Sequence, residues 1–484
     1  MHKRLVFNIT SRILLIVCFC MLAPLGWAVH DNPRSLEVMA FVVTILAGLL
    51  ISLAVRGACR IQAQDFKRIN SKDTLAIVGL SWIVASLLGA LPLYLSHTTA
   101  HFTDAFYEIV SGFTTTGASI FSDVETLPRG ILFWRSLTNW LGGMGIIVLF
   151  LALLPALSQS GFQLYKAETS GIISEKIEPR IKETAKLLWL IYLFFSVVQT
   201  ILHLAGGMTV FDALCHTFGA IATGGFSTKN ASLGAFSPYH QWVALVFMFI
   251  GGVSFMLHYR MFRYGDWRYW RDEEFQCYSL VMLTLVAGFA GVLYHHGMSA
   301  SPLRDAAFQV ISISSSTGFS TVDFNVWPQG MRCIFLLLMI SGACAGSTSG
   351  GLKIVRVILG IKIVLRSVLR AVFPSAVIPV KINRSPLANK VVEEVSSYII
   401  IYLFLFLLGT FLLTVTDGCS FDTAFSATAA NFGNIGPGLD AVGATGNYGW
   451  MSLPGKWVLI FLMLAGRLEL YAFLILFVPA TWRK

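Results

Sequence analysis

Ten apolar runs dominate this chain of 484 residues and leave it few ways to fold. They are Ile13–Val29, Val38–Val55, Thr74–Leu95, Trp140–Leu157, Leu187–Ala205, Trp242–Leu257, Tyr278–Leu293, Cys333–Ala345 with its continuation, Val395–Val415 and Trp457–Phe477. A helix needs about 20 mostly apolar residues to cross a bilayer. Only 12% of the residues are charged and the mean hydropathy is +0.71, whereas a soluble domain carries about 25% charged residues. A water-soluble fold is excluded on that ground. The first run follows Lys3 and Arg4 as a signal peptide would. No clear small-x-small cleavage site follows it, and more apolar runs come after, so it reads as a retained helix.

Lysine and arginine set the expected orientation. With the N-terminus inside, the cytoplasmic pieces are the N-terminus, 56–73, 157–187, 257–276, 353–390 and the C-terminus, and they hold 27 of the 35 basic residues. This bias predicts that both termini are cytoplasmic. It also accounts for the net charge of +10 without a nucleic acid, although part of the basic surface could meet an acidic partner or anionic lipid.

The sequence offers nothing for an enzyme. Its eight cysteines form no CxxC pair and its ten histidines show no HExxH spacing. There is no Walker A loop, no GxGxxG opening a helix and no GxSxG elbow.

Between the spans lies a repeat. The loops after spans three, five, seven and nine begin at Asp104-Ala105, Asp212-Ala213, Asp305-Ala306 and Asp422-Thr423. They end at Gly117, Gly225, Gly318 and Gly436, a distance of 13, 13, 13 and 14 residues. A proline then precedes the next span: Pro128, Pro238, Pro328 and Pro454. Aspartate is a good N-cap, and the residues after it make a helix too short to cross a membrane. Proline suits the first turn of the helix that follows. Each unit is therefore expected to be helix, half-helix, filter strand, helix. Irregular backbone at membrane depth is tolerated only where protein buries it or it lines a watery cavity.

Four half-helices would point their C-termini, which favour cations, at one axis. The residues there are Thr115-Thr116-Gly117, Thr223-Gly224-Gly225, Ser316-Thr317-Gly318 and Asn434-Ile435-Gly436. They are small, hydroxylated or glycine, and their backbone carbonyls can replace a cation's water shell. No carboxylate ring occupies the position, which argues against a divalent-selective filter. The competing reading of the glycines is close helix packing.

At these residues the sequence resembles the Trk/Ktr/HKT superfamily of potassium transporters, and within it the bacterial Trk system membrane subunit. The motifs are Ser111–Ala118, Gly224–Thr228, Thr317–Thr321 and Asn434–Leu439, with Gly142–Gly145, Cys344–Thr348 and Gly466–Glu469 beside them. The resemblance covers nearly the whole chain. It implies an all-α polytopic protein with a pseudo-fourfold pore of four helix–pore-loop–helix repeats plus two extra N-terminal helices. It also implies potassium as the transported ion, with no bound cofactor. A homodimer, a cytosolic ring-forming regulatory subunit that binds NAD or ATP, and a place in the bacterial inner membrane are further implications. The expected division is 1–72 for the two N-terminal helices and their link, then repeats at 73–186, 187–276, 277–392 and 393–484.

Two features below the filter are candidates for a gate. The run 341–351 is dense in glycine and serine inside the second helix of repeat three, where each glycine weakens a helix by about 1 kcal/mol against alanine. An intramembrane loop is expected there, with Gly346, Ser347, Thr348, Gly350 and Gly351 in the gate; a kinked packing helix is the alternative. Relatives tend to keep glycine where this chain has Ser349. In the last span, Arg467 and Glu469 are charges that belong on the bundle interior or in water. Arg467 is expected to project under the filter as a cationic barrier, as a pore arginine does in the family. The alternative is a structural Arg–Glu pair, although residues two apart on a helix do not face each other. Lys353 and Arg356 start a basic stretch that is either a lever for a cytosolic partner or only positive-inside signal. Glu108 is expected to bond locally, and Arg135 and Arg332 to snorkel. Proton- or sodium-coupled symport stays open, with Glu469 and Asp323 as the candidate titratable groups.

Overall fold

The computed structural model describes residues 2–62, 65, 71–145 and 181–482. Among these residues the chain is helical apart from loops and one small hairpin, in which Lys381–Ile382 pairs with Ser385–Pro386. Six helices are long and apolar enough to cross a membrane: Lys3–Asp31, Leu36–Ala58, Lys72–Leu95, Thr184–Ala205, Glu273–His295 and Asn389–Asp417. Two bent helix pairs raise the number to as many as eight. The expected span Trp140–Leu157 follows the helix Arg129–Trp140, but its part from 146 onward falls outside the described residues.

Two expected spans are not single helices. Trp242–Leu257 is broken between Pro238–Gly252 and Phe255–Tyr264, which meet at 93°. Trp457–Phe477 is broken after Arg467, with a bend of 119°. The helix in repeat three also stops early, at Ser341, and the helix Arg129–Trp140 of repeat one passes into a π-helical turn at Leu141–Gly145. So all four helices that follow the loop prolines lose regular α geometry at a matched place. A glycine explains three of them. A Cβ on Gly142 would strike the carbonyl of Phe113, one on Gly466 that of Phe432, and one on Gly251 would lie 3.0 Å from that of Ile221. Each contact is with the last residue of the half-helix in the same repeat. Glycine therefore lets the inner helix approach the half-helix end.

The four half-helices are Phe102–Phe113, Val210–Ile221, Pro302–Ser314 and Phe421–Phe432. At 1.5 Å per residue each is about 18 Å long, well short of a 30 Å hydrocarbon core. All ten residues from Asp104 to Phe113 are buried, so this helix lies within protein rather than lipid. The loop aspartates are not its caps, contrary to expectation. Asp104, Asp212 and Asp422 sit inside the first turn, and Asp305 just past its start. The capping hydroxyls belong to Thr209, which accepts from the N–H of Asp212, and Ser420, which accepts from that of Thr423. Carboxylates in a first turn still meet the positive end of the helix dipole. Asp104 also accepts from Lys456 Nζ at 2.7 Å, and Asp212 from Thr228 Oγ1 at 2.6 Å.

The two N-terminal helical spans pack on Lys72–Leu95 through Leu5, Ile9, Phe41 and Leu88. Glu37 fastens them to repeat one. Its Oε1 accepts from the N–H of Ile131 at 2.7 Å, a first-turn donor that has no partner within its own helix.

Candidate functional site

Each half-helix ends in the same way. The residue next but one after its last turn takes positive φ: Thr115 at 52°, Thr223 at 54°, Ser316 at 57° and Asn434 at 53°. Two backbone bonds then close a Schellman motif. The following residue donates its N–H back to the fifth carbonyl before it, Thr116 to Ser111, Gly224 to Gly219, Thr317 to Ser312 and Ile435 to Ala430, all at 2.8 Å. Left-handed backbone costs a non-glycine residue roughly 1–2 kcal/mol, and the structure accepts this cost four times in one register.

The four ends form a ring. Gly117, Gly225, Gly318 and Gly436 also have positive φ, between 72° and 98°. A Cβ on Gly117 would collide with the carbonyl of Gly224, one on Gly225 with that of Thr317, and one on Gly318 with that of Ile435. One on Gly436 would lie 2.7 Å from the carbonyl of Thr116. The contacts run from repeat one to two, three, four and back to one. Each glycine leaves room for the carbonyl that precedes the next glycine. The side chains of Thr115, Thr116, Thr223, Ser316, Thr317, Asn434 and Ile435 are all fully buried. Asn434 Nδ2 donates to Thr116 Oγ1 at 3.0 Å and so joins repeats four and one. A cavity of about 390 Å³ opens over the ring and is lined by all four glycines.

The run 342–353 is an irregular loop between the helices Gln329–Ser341 and Ile354–Val372. Its backbone satisfies the broken end of the repeat-two helix. Cys344 N–H donates to Gly252 O at 3.1 Å, Thr348 N–H to Gly251 O at 3.2 Å, and Gly346 O accepts from Phe255 N–H at 2.9 Å. Gly346 and Gly351 hold positive φ, 72° and 80°. The loop touches residues of the ring. Thr348 Oγ1 lies 3.2 Å from Thr223 Oγ1, and Gly350 N–H donates to Ser316 Oγ at 2.9 Å. A Cβ on Gly350 would lie 2.5 Å from Asn434 Oδ1. Ser347 Oγ bonds to Ser349 Oγ at 2.9 Å, within the loop.

The family model described as TrkH, cation transport protein, matches residues 42–484. The chain belongs to the TrkH family. It is 36% identical to the Trk system potassium uptake protein TrkH of Salmonella typhimurium and 37% identical to that of Halomonas elongata, with all of both chains covered in each comparison. It is 30% identical to Trk system potassium uptake protein TrkG of Escherichia coli. The crystal structure of the potassium transporter TrkH from Vibrio parahaemolyticus superposes with a TM-score of 0.87 at 36% identity, covering all of both chains. The expected fold class, a polytopic all-α protein of this superfamily, is thus met, and as a TrkH-family member the chain is a multi-pass membrane protein of a cation-transporting family.

In this TrkH-family chain Arg467 ends the helix Leu453–Arg467 at the bend. Its Nη1 donates to Thr348 O at 2.6 Å, and its Nη2 to Gly142 O at 2.6 Å and Gly143 O at 2.8 Å. One cation therefore ties the loop of repeat three, the π-turn of repeat one and the inner helix of repeat four. Glu469 does not pair with it. Glu469 accepts from Arg356 Nη2 at 2.6 Å, and that guanidinium carbon lies 4.0 Å from the centre of the Tyr398 ring. Lys353 is buried as well and donates to the carbonyl of Ser349. Neither Lys353 nor Arg356 is a surface lever.

Two groups in the site are not placed as the sequence suggests. Arg135 does not snorkel: it is 1% exposed and pairs with the fully buried Glu108, Nε to Oε1, at 2.7 Å. Glu274, which sequence reasoning passed over, accepts at Oε1 from Ala345 N–H in the loop at 2.7 Å and from Val355 N–H in the helix after it at 3.1 Å. A polar residue at the head of an apolar run was the available signal.

Proposed function

We propose that this protein takes up potassium ions across the bacterial cytoplasmic membrane through the ring of carbonyls at Thr116, Gly224, Thr317 and Ile435. The observation that carries the reading is the closed order of contacts in which each filter glycine admits the next repeat's carbonyl. The names of the relatives, Trk system potassium uptake proteins, support potassium as the ion. Both termini are cytoplasmic in this reading, as the distribution of lysine and arginine requires.

The loop 341–351 is the gate, and Arg467 is its latch, since the loop touches three filter strands and Arg467 holds its carbonyls. A cytosolic, nucleotide-binding ring subunit of the Trk system acts on the gate from the cytoplasmic face, and within 353–390 the exposed residues beyond the buried Lys353 and Arg356 are its docking surface. The other docking segment, 157–187, lies mostly outside the described residues. The protein works as a homodimer, in which exposed apolar residues of the helix Ile354–Val372, such as Ile361, Val364 and Val368, favour a covered face. The four-repeat division given above belongs to the same proposal.

Uptake is conductive rather than coupled to protons or sodium. Glu469 is committed to Arg356, and Asp323 accepts from the N–H of Asn325 at 2.9 Å, so both candidate carriers are engaged. Purified protein in liposomes is expected to pass potassium down its own gradient with no pH or sodium gradient. Flux that stops when those gradients are removed would favour symport instead.

A further inference from the structure

The residue four past each loop aspartate is Glu108, His216, Gln309 and Ser426. All four are fully buried. Each bonds to the strand that leaves its own filter glycine, two or three residues beyond it. Glu108 Oε1 accepts from Ser119 Oγ at 3.0 Å and Oε2 from Ile120 N–H at 2.9 Å. His216 Nε2 lies 2.9 Å from Ser227 Oγ. Gln309 Nε2 donates to Thr321 Oγ1 at 3.3 Å. Ser426 Oγ donates to Leu439 O at 3.1 Å and accepts from Leu439 N–H at 3.0 Å. One position on the half-helix thus straps the outgoing strand in every repeat, with four different chemistries.

The strap of repeat one is built differently from the rest. Glu108 also accepts from Arg135 Nε at 2.7 Å, and Arg135 Nη2 donates to Ser119 Oγ at 3.1 Å. The guanidinium carbon lies 4.3 Å from the centre of the Phe226 ring. Phe226 directly follows Gly225, the filter glycine of repeat two. The pair therefore bonds the first filter strand and rests against the second. Bonds between charged partners are roughly twice as strong as neutral ones, and a buried pair is little screened by salt.

We propose that Glu108 and Arg135 are positioning residues for cation discrimination. They hold the first two filter strands at the spacing that suits a large dehydrated ion and resist collapse of the ring onto a smaller one. The proposal rests on the reading of the glycine ring as a filter. Both act on the ring through Ser119, Ile120 and Phe226.

The test compares potassium and sodium flux into liposomes for the parent protein, Glu108→Gln, Arg135→Lys and the double variant Glu108→Gln/Arg135→Gln. The double variant leaves no unpaired buried charge, which a single neutralisation does. Arg135→Lys keeps the charge but cannot serve Glu108 and Ser119 as a planar fork while lying on Phe226. The potassium-to-sodium flux ratio is expected to fall about tenfold in Glu108→Gln and in the double variant, the ratio produced by losing one charge-assisted bond's worth of discrimination. Arg135→Lys is expected between parent and double variant. Folded variants, judged by unchanged elution and thermal midpoint, that keep the parent ratio overturn the proposal, as does an equal loss of both fluxes. A parent protein with no preference for potassium overturns the filter reading itself, so the two failures are distinct.

Discussion

The Arg467 guanidinium donates through Nη1 to the carbonyl of Thr348 at 2.6 Å, and this bond joins the end of one inner helix to the loop 342–353. The other nitrogen reaches Gly142 and Gly143. A hydrogen bond to a charged group contributes about 1.5–3 kcal/mol, so losing this one loosens the loop from two repeats at once. Arg467→Ala is expected to raise rubidium uptake by roughly tenfold at unchanged protein level, the factor that corresponds to about 1.4 kcal/mol. Arg467→Lys should lie in between, because an ammonium is a point donor without the fork. Unchanged uptake in a folded Arg467→Ala protein would remove the side chain from the gate.

The glycine ring makes a sharper prediction. Alanine at Gly225 would force its Cβ against the carbonyl of Thr317 at a φ of 72°. The carbonyl would have to leave the ring or the strand would have to move. Gly225→Ala is expected to abolish the preference for potassium over sodium or to stop flux. Gly330→Ala is the control, since nothing lies within 4 Å of its Cβ and its flux should match the parent. Equal behaviour of the two variants would count against a carbonyl filter at this position.

These residues also mark what could be read from the chain. The spacing from Asp104 to Gly117 and its three copies was legible because a half-helix and a Schellman end have fixed lengths. The break in the inner helix of repeat three was legible in its run of glycine and serine, but the breaks in the other three were not, although Gly142, Gly251 and Gly466 stand in the sequence. A glycine in an apolar run does not reveal that it will face a half-helix carbonyl. The capping role expected of the aspartates falls in two repeats to Thr209 and Ser420, three and two residues ahead of them, because those helices begin before the aspartate. Arg135 was misplaced because snorkelling is the rule for an arginine near a helix end. Its partner Glu108 lies 27 residues away on another element, and periodicity carries no signal for that.

Asp440 offers a pH test on the loop face. Hydroxyls of Thr423 and Ser420 donate to its Oδ2 at 2.6 and 2.8 Å and hold its carboxyl below the usual range. A depressed folded value stabilises the protein above the unfolded value, about 3.9 for aspartate. That stabilisation is lost as pH falls through the folded value. Asp440→Asn is therefore expected to lower the thermal midpoint at pH 7 by a constant amount down to about pH 5, with the gap closing below about pH 4. A gap that persists at the acid end would mean that charge is not what Thr423 and Ser420 hold.

Glu274 links the loop to the far side of the molecule. Its Oε1 takes N–H bonds from Ala345 and Val355, so one carboxylate pins the proposed gate and the start of the helix that follows it. Its neighbours pin the hairpin: Asn383 Nδ2 donates to Asp272 Oδ2 at 3.0 Å, and Asn383 N–H to Glu273 Oε2 at 3.2 Å. The hairpin is held in turn by two residues of positive φ, Asn383 and Arg384, as a tight two-residue turn requires. Hairpin, helix start and loop thus form one bonded series. Glu274→Gln keeps an oxygen for both N–H groups and is expected to change basal flux little. Glu274→Ala leaves two buried backbone donors without a partner, at about 1–3 kcal/mol each. It is expected to raise basal flux and to speed hydrogen exchange at Ala345 and Val355, while exchange at Thr116 and Thr317 stays slow. If the alanine variant exchanged faster at the filter but not at the loop, the carboxylate would be supporting the fold and not the gate.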